Sequence, residues 1–182
     1  MNTTPSAGNL FVWVGDNTAC VRITGRANFT TSVDFKKLMQ HFRGTGQAKV
    51  VLDLSECLLM DSTFLGVLAN EAKTRSATKD GHTEPGVELV NPNQRIRDLL
   101  DNLGVVSLFN VVQCEASKET FEPVQPAEGI SREEITRTCL DAHLALMELS
   151  PGNVPKFKDV THFFAENLKK LQDESLKSSP QQ

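Results

Sequence analysis

The sequence predicts an α/β fold, a mixed β-sheet with helices packed on it, followed by a C-terminal helical hairpin. Short β-branched runs alternate with helical patterns over residues 10–115, which indicates one sheet domain. Prolines and acidic residues over 116–130 indicate a linker, and two amphipathic patterns over 131–172 indicate the hairpin. We expect residues 1–9 to form a flexible N-terminus and 173–182 a disordered tail.

The elements of the sheet domain are predicted in the order ββαβαβαβ. The runs "NLFVWVGD" and "ACVRIT" are typical of a two-stranded hairpin, and "AKVVLDL", "VELVNP" and "LFNVVQ" are typical of the later strands. We expect the first helix to have Ser32 as its N-cap. A second helix follows the "MDST" segment, and the amphipathic run "NQRIRDLLDNLGV" forms a third that ends at Gly104. The polar segment "TRSATKDGHTEPG" is expected to be a loop.

The C-terminal hairpin is predicted from its caps and its apolar spacing. Ser131 stands three residues before Glu134, which is a capping-box pattern at a helix start. The second helix carries an apolar stripe that includes Phe157, Phe163, Phe164 and Leu168. Two amphipathic helices leave apolar faces that must be covered. We expect them to pack on the core of the same chain; packing on a second copy, in a homodimer, is the alternative.

Composition argues against several classes of protein. A net charge of −4 over 182 residues gives no electrostatic reason to expect nucleic-acid binding. There is no long apolar run to span a membrane and no signal-peptide pattern at the start. The four cysteines are widely spaced and are expected to be reduced, mostly buried thiols of a cytoplasmic protein. The four histidines are scattered and are expected at the surface, so neither a metal, a cofactor nor a catalytic frame is predicted, and we expect no enzymatic activity.

The most informative stretch is "VVLDLSECLLMDSTFLGVLANEA", in which a buried strand pattern is followed by Asp61, Ser62 and Thr63. Taken alone, these three are common helix N-cap residues. With the flanking strand and helix, the stretch resembles the STAS domain family, whose signature reads roughly D-S-[ST]-G-L-G at the start of the second helix. The resemblance covers about residues 10–115 and includes two weaker landmarks, "ITGRAN" and "VNPNQRIRDLLDNLGVVSLF".

The resemblance implies the role of the bacterial anti-sigma factor antagonists, also called anti-anti-sigma factors. In that group the serine of the motif is phosphorylated, which carries over to Ser62. The implied protein is a non-enzymatic partner switch in signal transduction and transcription regulation. It binds an anti-sigma factor, typically a serine-protein kinase of the GHKL type, while Ser62 is free. It releases that partner after phosphorylation, and a PP2C-type phosphatase resets the switch.

Two positions depart from the family pattern. Phe64 replaces the usual glycine, and we expect an exposed ring that belongs to a partner surface. Asn28 replaces an acid that lies near the phosphorylation site in the family. Together with Asp61 and Thr63, these residues are the expected partner contacts. The alternative is a structural or dimerisation module in which Phe64 and the hairpin form a permanent interface and Ser62 is only a helix cap.

Overall fold

A computed structural model describes residues 8–15, 17–79, 82–115 and 117–178. The expectations for residues 1–7 and 179–182 therefore lie outside the described residues. In chain order the elements are β1 (Asn9–Val14), β2 (Thr18–Ala27), α1 (Phe29–Gly44), β3 (Lys49–Asp53), β4 (Cys57–Met60), α2 (Ser62–Arg75), β5 (Ala77–Lys79), β6 (His82–Glu84), β7 (Val87–Val90), α3 (Gln94–Asn102), β8 (Phe109–Val112), β9 (Glu122–Pro123), α4 (Arg132–Leu149) and α5 (Val154–Ser178).

A mixed sheet of seven strands forms the centre of the described fold, which confirms the predicted class. Its strand order is β8-β7-β3-β2-β1-β9, and β4 pairs with the C-terminal end of β2. The β1–β2 hairpin is antiparallel, as predicted, whereas β3, β7 and β8 follow in parallel. Parallel strands of this kind are joined through helices, which is why helices cover the sheet.

One hydrophobic cluster joins the sheet to the helices. Every second residue of β2, namely Ala19, Val21 and Ile23, is fully buried, as the period-2 pattern of a half-covered strand requires. Side chains of α1, α2 and α3 complete the cluster; the largest of them are Phe35, Met39, Phe42, Phe64, Leu65, Leu68, Ile96 and Leu100. The end of α3 agrees with the prediction, because Gly104 takes a φ of +64° that favours glycine.

Three local predictions are wrong. Asn28, not Ser32, caps α1: its Oδ1 accepts from the backbone N–H groups of Thr30 and Thr31, both at 3.1 Å. Ser32 lies inside the helix, where its hydroxyl donates to the carbonyl of Phe29. The polar segment expected to be a loop contains the small β5–β6 hairpin. The third error is in the tail, because α5 continues through residues 173–178 instead of ending at 172.

The hairpin packs on the same chain, as we expected, but through a different helix. The capping box is present, since the Ser131 hydroxyl accepts from the N–H of Glu134 at 3.1 Å. Helix α4 lies on α1 and α2, and α5 lies on α4. Of the aromatic stripe, Phe157 reaches the core cluster, whereas Phe163 is 60% exposed. Before the hairpin, β9 pairs with β1, so the predicted linker is partly docked on the domain.

No helix in the described part of the chain is both long enough and apolar enough to cross a membrane. The same ranges contain no cluster of three or more His, Cys, Asp or Glu side chains arranged to hold a metal ion.

Candidate functional site

The N-terminus of α2 is held by Asp61, which is its N-cap. One carboxylate oxygen accepts from the N–H of Phe64 at 2.8 Å, and the other accepts from the N–H of Phe29 at 2.9 Å. Phe29 is the first residue of α1, so a single carboxylate satisfies unpaired donors at the starts of two helices. Ser62 is the first helical residue. The part of the alternative that made Ser62 the helix cap is therefore wrong, whereas a structural or dimerisation role does not depend on it.

The charge state of Asp61 is set by opposing effects. Burial raises the pKa of its carboxyl, because the ionised form loses hydration. Backbone N–H donors, chiefly those of Phe64 and Phe29, oppose that rise. The ionised group also lies at the positive ends of two helix dipoles.

The Ser62 hydroxyl faces a side chain from outside the sheet domain. Ser62 is half-buried, and its Oγ lies 3.0 Å from Nε2 of His143 on α4. Nδ1 of the same ring lies 2.7 Å from the carbonyl oxygen of Cys139. A carbonyl can only accept, so Nδ1 carries the hydrogen of the neutral ring and Nε2 is the acceptor. The Ser62 hydroxyl therefore donates to Nε2.

His143 corrects the expectation that the histidines are surface residues. It is 4% exposed, and its ring lies 4.9 Å from that of Phe157 and 5.9 Å from that of Phe164, measured between centroids. The sequence does contain a signal for this burial. His143 stands four residues after Cys139 and three before Leu146, so it lies on the apolar stripe of α4.

The next two residues of the motif point into the protein. Thr63 is buried, with its hydroxyl 3.9 Å from the Cys139 sulfur. Phe64 is fully buried, and its ring lies 4.9 Å from that of Phe35. The expectation of an exposed Phe64 on a partner surface is wrong, because the side chain at this position turns inward and fills core volume between α1 and α2.

Asn28 lies close to the motif, as the resemblance implied. Its chain neighbours Ala27 and Phe29 both bond to Asp61: the Asp61 N–H donates to the Ala27 carbonyl, and the Asp61 carboxylate accepts from the Phe29 N–H. The Asn28 amide oxygen is occupied in capping α1. The fold therefore brings Asn28, Asp61 and Ser62 together at the starts of α1 and α2.

Several solved structures are similar to part of this chain. Similar solved structures include the Thermotoga maritima protein TM1081, with 23% identity over 56% of this chain and 78% of that one, at a TM-score of 0.47. An anti-sigma factor antagonist from Mycobacterium paratuberculosis has 18% identity over 58% of this chain and 85% of that one, at a TM-score of 0.47. The phosphorylated form of the Bacillus cell fate determinant SpoIIAA has 12% identity over 59% of this chain and 91% of that one, at a TM-score of 0.46.

At these identities and TM-scores the structural similarities carry no functional assignment. A comparison with curated proteins gives no match. The family model is decisive, because the model of the STAS domain matches residues 13–121, from within β1 to the residue before β9. Helices α4 and α5, including His143, lie beyond the matched region. The chain belongs to the STAS domain family.

Proposed function

We propose that this chain is a phosphorylation-controlled partner switch of the anti-sigma factor antagonist type, acting in the cytoplasm of a bacterium to regulate transcription. Its partner is an anti-sigma factor that is also a GHKL-type serine kinase. The chain binds this partner while Ser62 is unmodified and releases it once Ser62 is phosphorylated. A PP2C-type phosphatase restores the free hydroxyl. The chain itself performs no catalysis.

The observation that supports this role is the division of work between Asp61 and Ser62. Asp61 caps α2, so the Ser62 hydroxyl is not needed to satisfy the helix backbone. That hydroxyl is directed away from the sheet domain, toward His143. A serine that is held on a rigid helix start, and is free of capping, suits a modification that a partner reads.

Electrostatics explain how the modification would act. A phosphoserine carries a charge of roughly −1.5 to −2 at neutral pH. The first turn of a helix tolerates that charge, because its N–H groups are unpaired and its dipole end is positive. The added charge lies beside Asp61, so an apposed partner surface meets a concentrated negative patch. The expected consequence is loss of the partner, with the domain still folded.

The proposal is tested by incubating the full chain with a GHKL-type anti-sigma kinase and ATP, and measuring intact mass. We expect one added phosphate on the wild-type chain and none on Ser62→Ala. Thr63→Ala is the matched control, because Thr63 is buried and should not accept phosphate. In a pull-down with that kinase, Ser62→Ala should bind and Ser62→Asp should not. Equal capture of both variants contradicts the switch.

A structural or dimerisation module is the second candidate, and one observation favours it. The hairpin exposes Leu144, Phe163 and Leu176, which are large apolar side chains. In this role the Ser62–His143 hydrogen bond only ties α4 to α2. Phe64 is not part of such an interface, because it is buried in the core of its own chain. A tight dimer at low concentration, unaffected by substitution of Ser62, would favour this second function.

A further inference from the structure

Helix α4 covers the face of α2 on which Ser62 lies. The two helices approach closely at Gly66, where an added Cβ would lie 2.3 Å from the carbonyl oxygen of Ala142. That oxygen belongs to the backbone, so it cannot move aside without moving α4. At this crossing both helices therefore present small residues, glycine on α2 and alanine on α4.

Charges at the edges of the contact are complementary. Lys36 and Lys37 of α1 pair with Asp141 and Glu134 of α4 at 3.5 and 3.0 Å. Lys73 of α2 pairs with Glu148 at 2.6 Å. These side chains are between 33% and 71% exposed, so the pairs contribute little stability but favour one direction and register of the docked helix.

The contact has few large apolar anchors, and a groove open to solvent borders it. The groove has a volume of about 280 Å³ and runs beside α2 and α4, with Gly66, Asn70, Asp141 and Ala145 among the residues that line it. On α4, the fully buried large apolar side chain is Leu146, and its neighbours in the contact include the small residues Cys139 and Ala142. A helix with so few large anchors can leave its site at lower cost than a core helix.

We propose that the α1–α2 face bearing Ser62 is a helix-docking surface, that α4 is its releasable occupant in the resting chain, and that the partner which recognises Ser62 binds by displacing α4. The charges and the crossing define the partner's chemistry. It presents a helix with a small residue opposite Gly66 and acidic groups opposite Lys36 and Lys73. The release of α4 stands independently of the proposed function, whereas the competition rests on it.

Release is tested by hydrogen exchange of the full chain across increasing urea. We expect amides of α4 to exchange at least ten-fold faster than those of β3, through an opening that leaves the sheet protected. Gly66→Ala should speed exchange in α4 by a further ten-fold or more, because the new methyl meets the α4 backbone. Gly44→Ala is the control, since its added Cβ would have no neighbour within 4 Å. If α4 and β3 lose protection together in both the wild type and Gly66→Ala, the proposal is overturned.

Competition is tested with a reversible lock. Thr63→Cys places a thiol beside Cys139, because the Thr63 hydroxyl oxygen is 3.9 Å from that sulfur. Oxidation should join α2 to α4, and peptide mapping would verify the bond. We expect the oxidised form to be phosphorylated at Ser62 at least ten-fold more slowly by the kinase used above than the same protein after reduction. The double variant Thr63→Cys, Cys139→Ser should show no such dependence. Equal rates for the oxidised and reduced forms overturn the competition, whereas absence of phosphate in every form contradicts the proposed function and leaves the exchange result standing.

Discussion

Replacing Phe64 by glycine, the residue usual in this family, is expected to be strongly destabilising here. The Phe64 side chain is fully buried and its ring packs against that of Phe35, with 4.9 Å between centroids. Removing a buried phenylalanine side chain costs roughly 3–5 kcal/mol of unfolding free energy. A glycine inside a helix costs about 1 kcal/mol more than alanine. We therefore expect a loss of about 4–6 kcal/mol for Phe64→Gly, against about 3–5 kcal/mol for Phe64→Ala.

The assay is urea denaturation followed by circular dichroism and by fluorescence of Trp13, the one tryptophan in the chain. A loss of this size is a large part of a typical stability of about 5–15 kcal/mol, so the unfolding midpoint should fall sharply. Phe163→Ala is the matched control, because that ring is 60% exposed; its cost should stay within about 0.5 kcal/mol. A cost below about 1 kcal/mol for Phe64→Gly, with an unchanged urea slope, would refute the assignment of Phe64 to the core.

Further expectations concern the polar groups. Ser62→Ala leaves the buried Nε2 of His143 without its hydrogen-bond donor, which should cost about 1–3 kcal/mol of unfolding free energy. A double-mutant cycle with His143→Phe should give a coupling energy near 1 kcal/mol between the two side chains, and a coupling of zero contradicts the hydrogen bond. Asp61→Ala removes the cap of α2 and the acceptor for the Phe29 N–H, so urea denaturation should show a loss of about 2–3 kcal/mol of unfolding free energy. A loss smaller than about 0.5 kcal/mol would contradict the role of this carboxylate at the starts of both helices. Burial opposes ionisation of Asp53, but hydrogen bonds from Ser55 and Arg22 outweigh it and lower the pKa of the carboxyl. The ionised carboxylate should contribute its full stabilisation above about pH 4 and lose it in more acidic solution. Asp53→Asn should therefore weaken the fall of unfolding free energy below about pH 4, and an unchanged fall would contradict the lowered pKa of Asp53.

The class of fold and the place of the site follow from the sequence itself. Period-2 burial in β2 and the capping box at Ser131 are local patterns, and local patterns are what backbone geometry and hydrogen-bond supply determine. The motif from Asp61 to Thr63 is local as well, so its position at the start of α2 could be predicted. That the hairpin needs cover could also be predicted, because an amphipathic helix does not leave its apolar face in water.

The tertiary structure decided how each of these residues is used. Asn28 and Ser32 are both of residue types that commonly cap helices. Which of them is the cap depended on where β2 ends and α1 begins in the folded chain. Phe64 points inward because Phe35 of α1 packs against its ring in the core. No local sequence pattern specifies that contact between two helices. His143 lies 81 residues beyond Ser62 along the chain, and their hydrogen bond exists only because Gly66 lets α4 approach α2 closely. Contacts between distant segments depend on packing of whole helices, and for that reason the partner of the Ser62 hydroxyl emerged only from the folded chain.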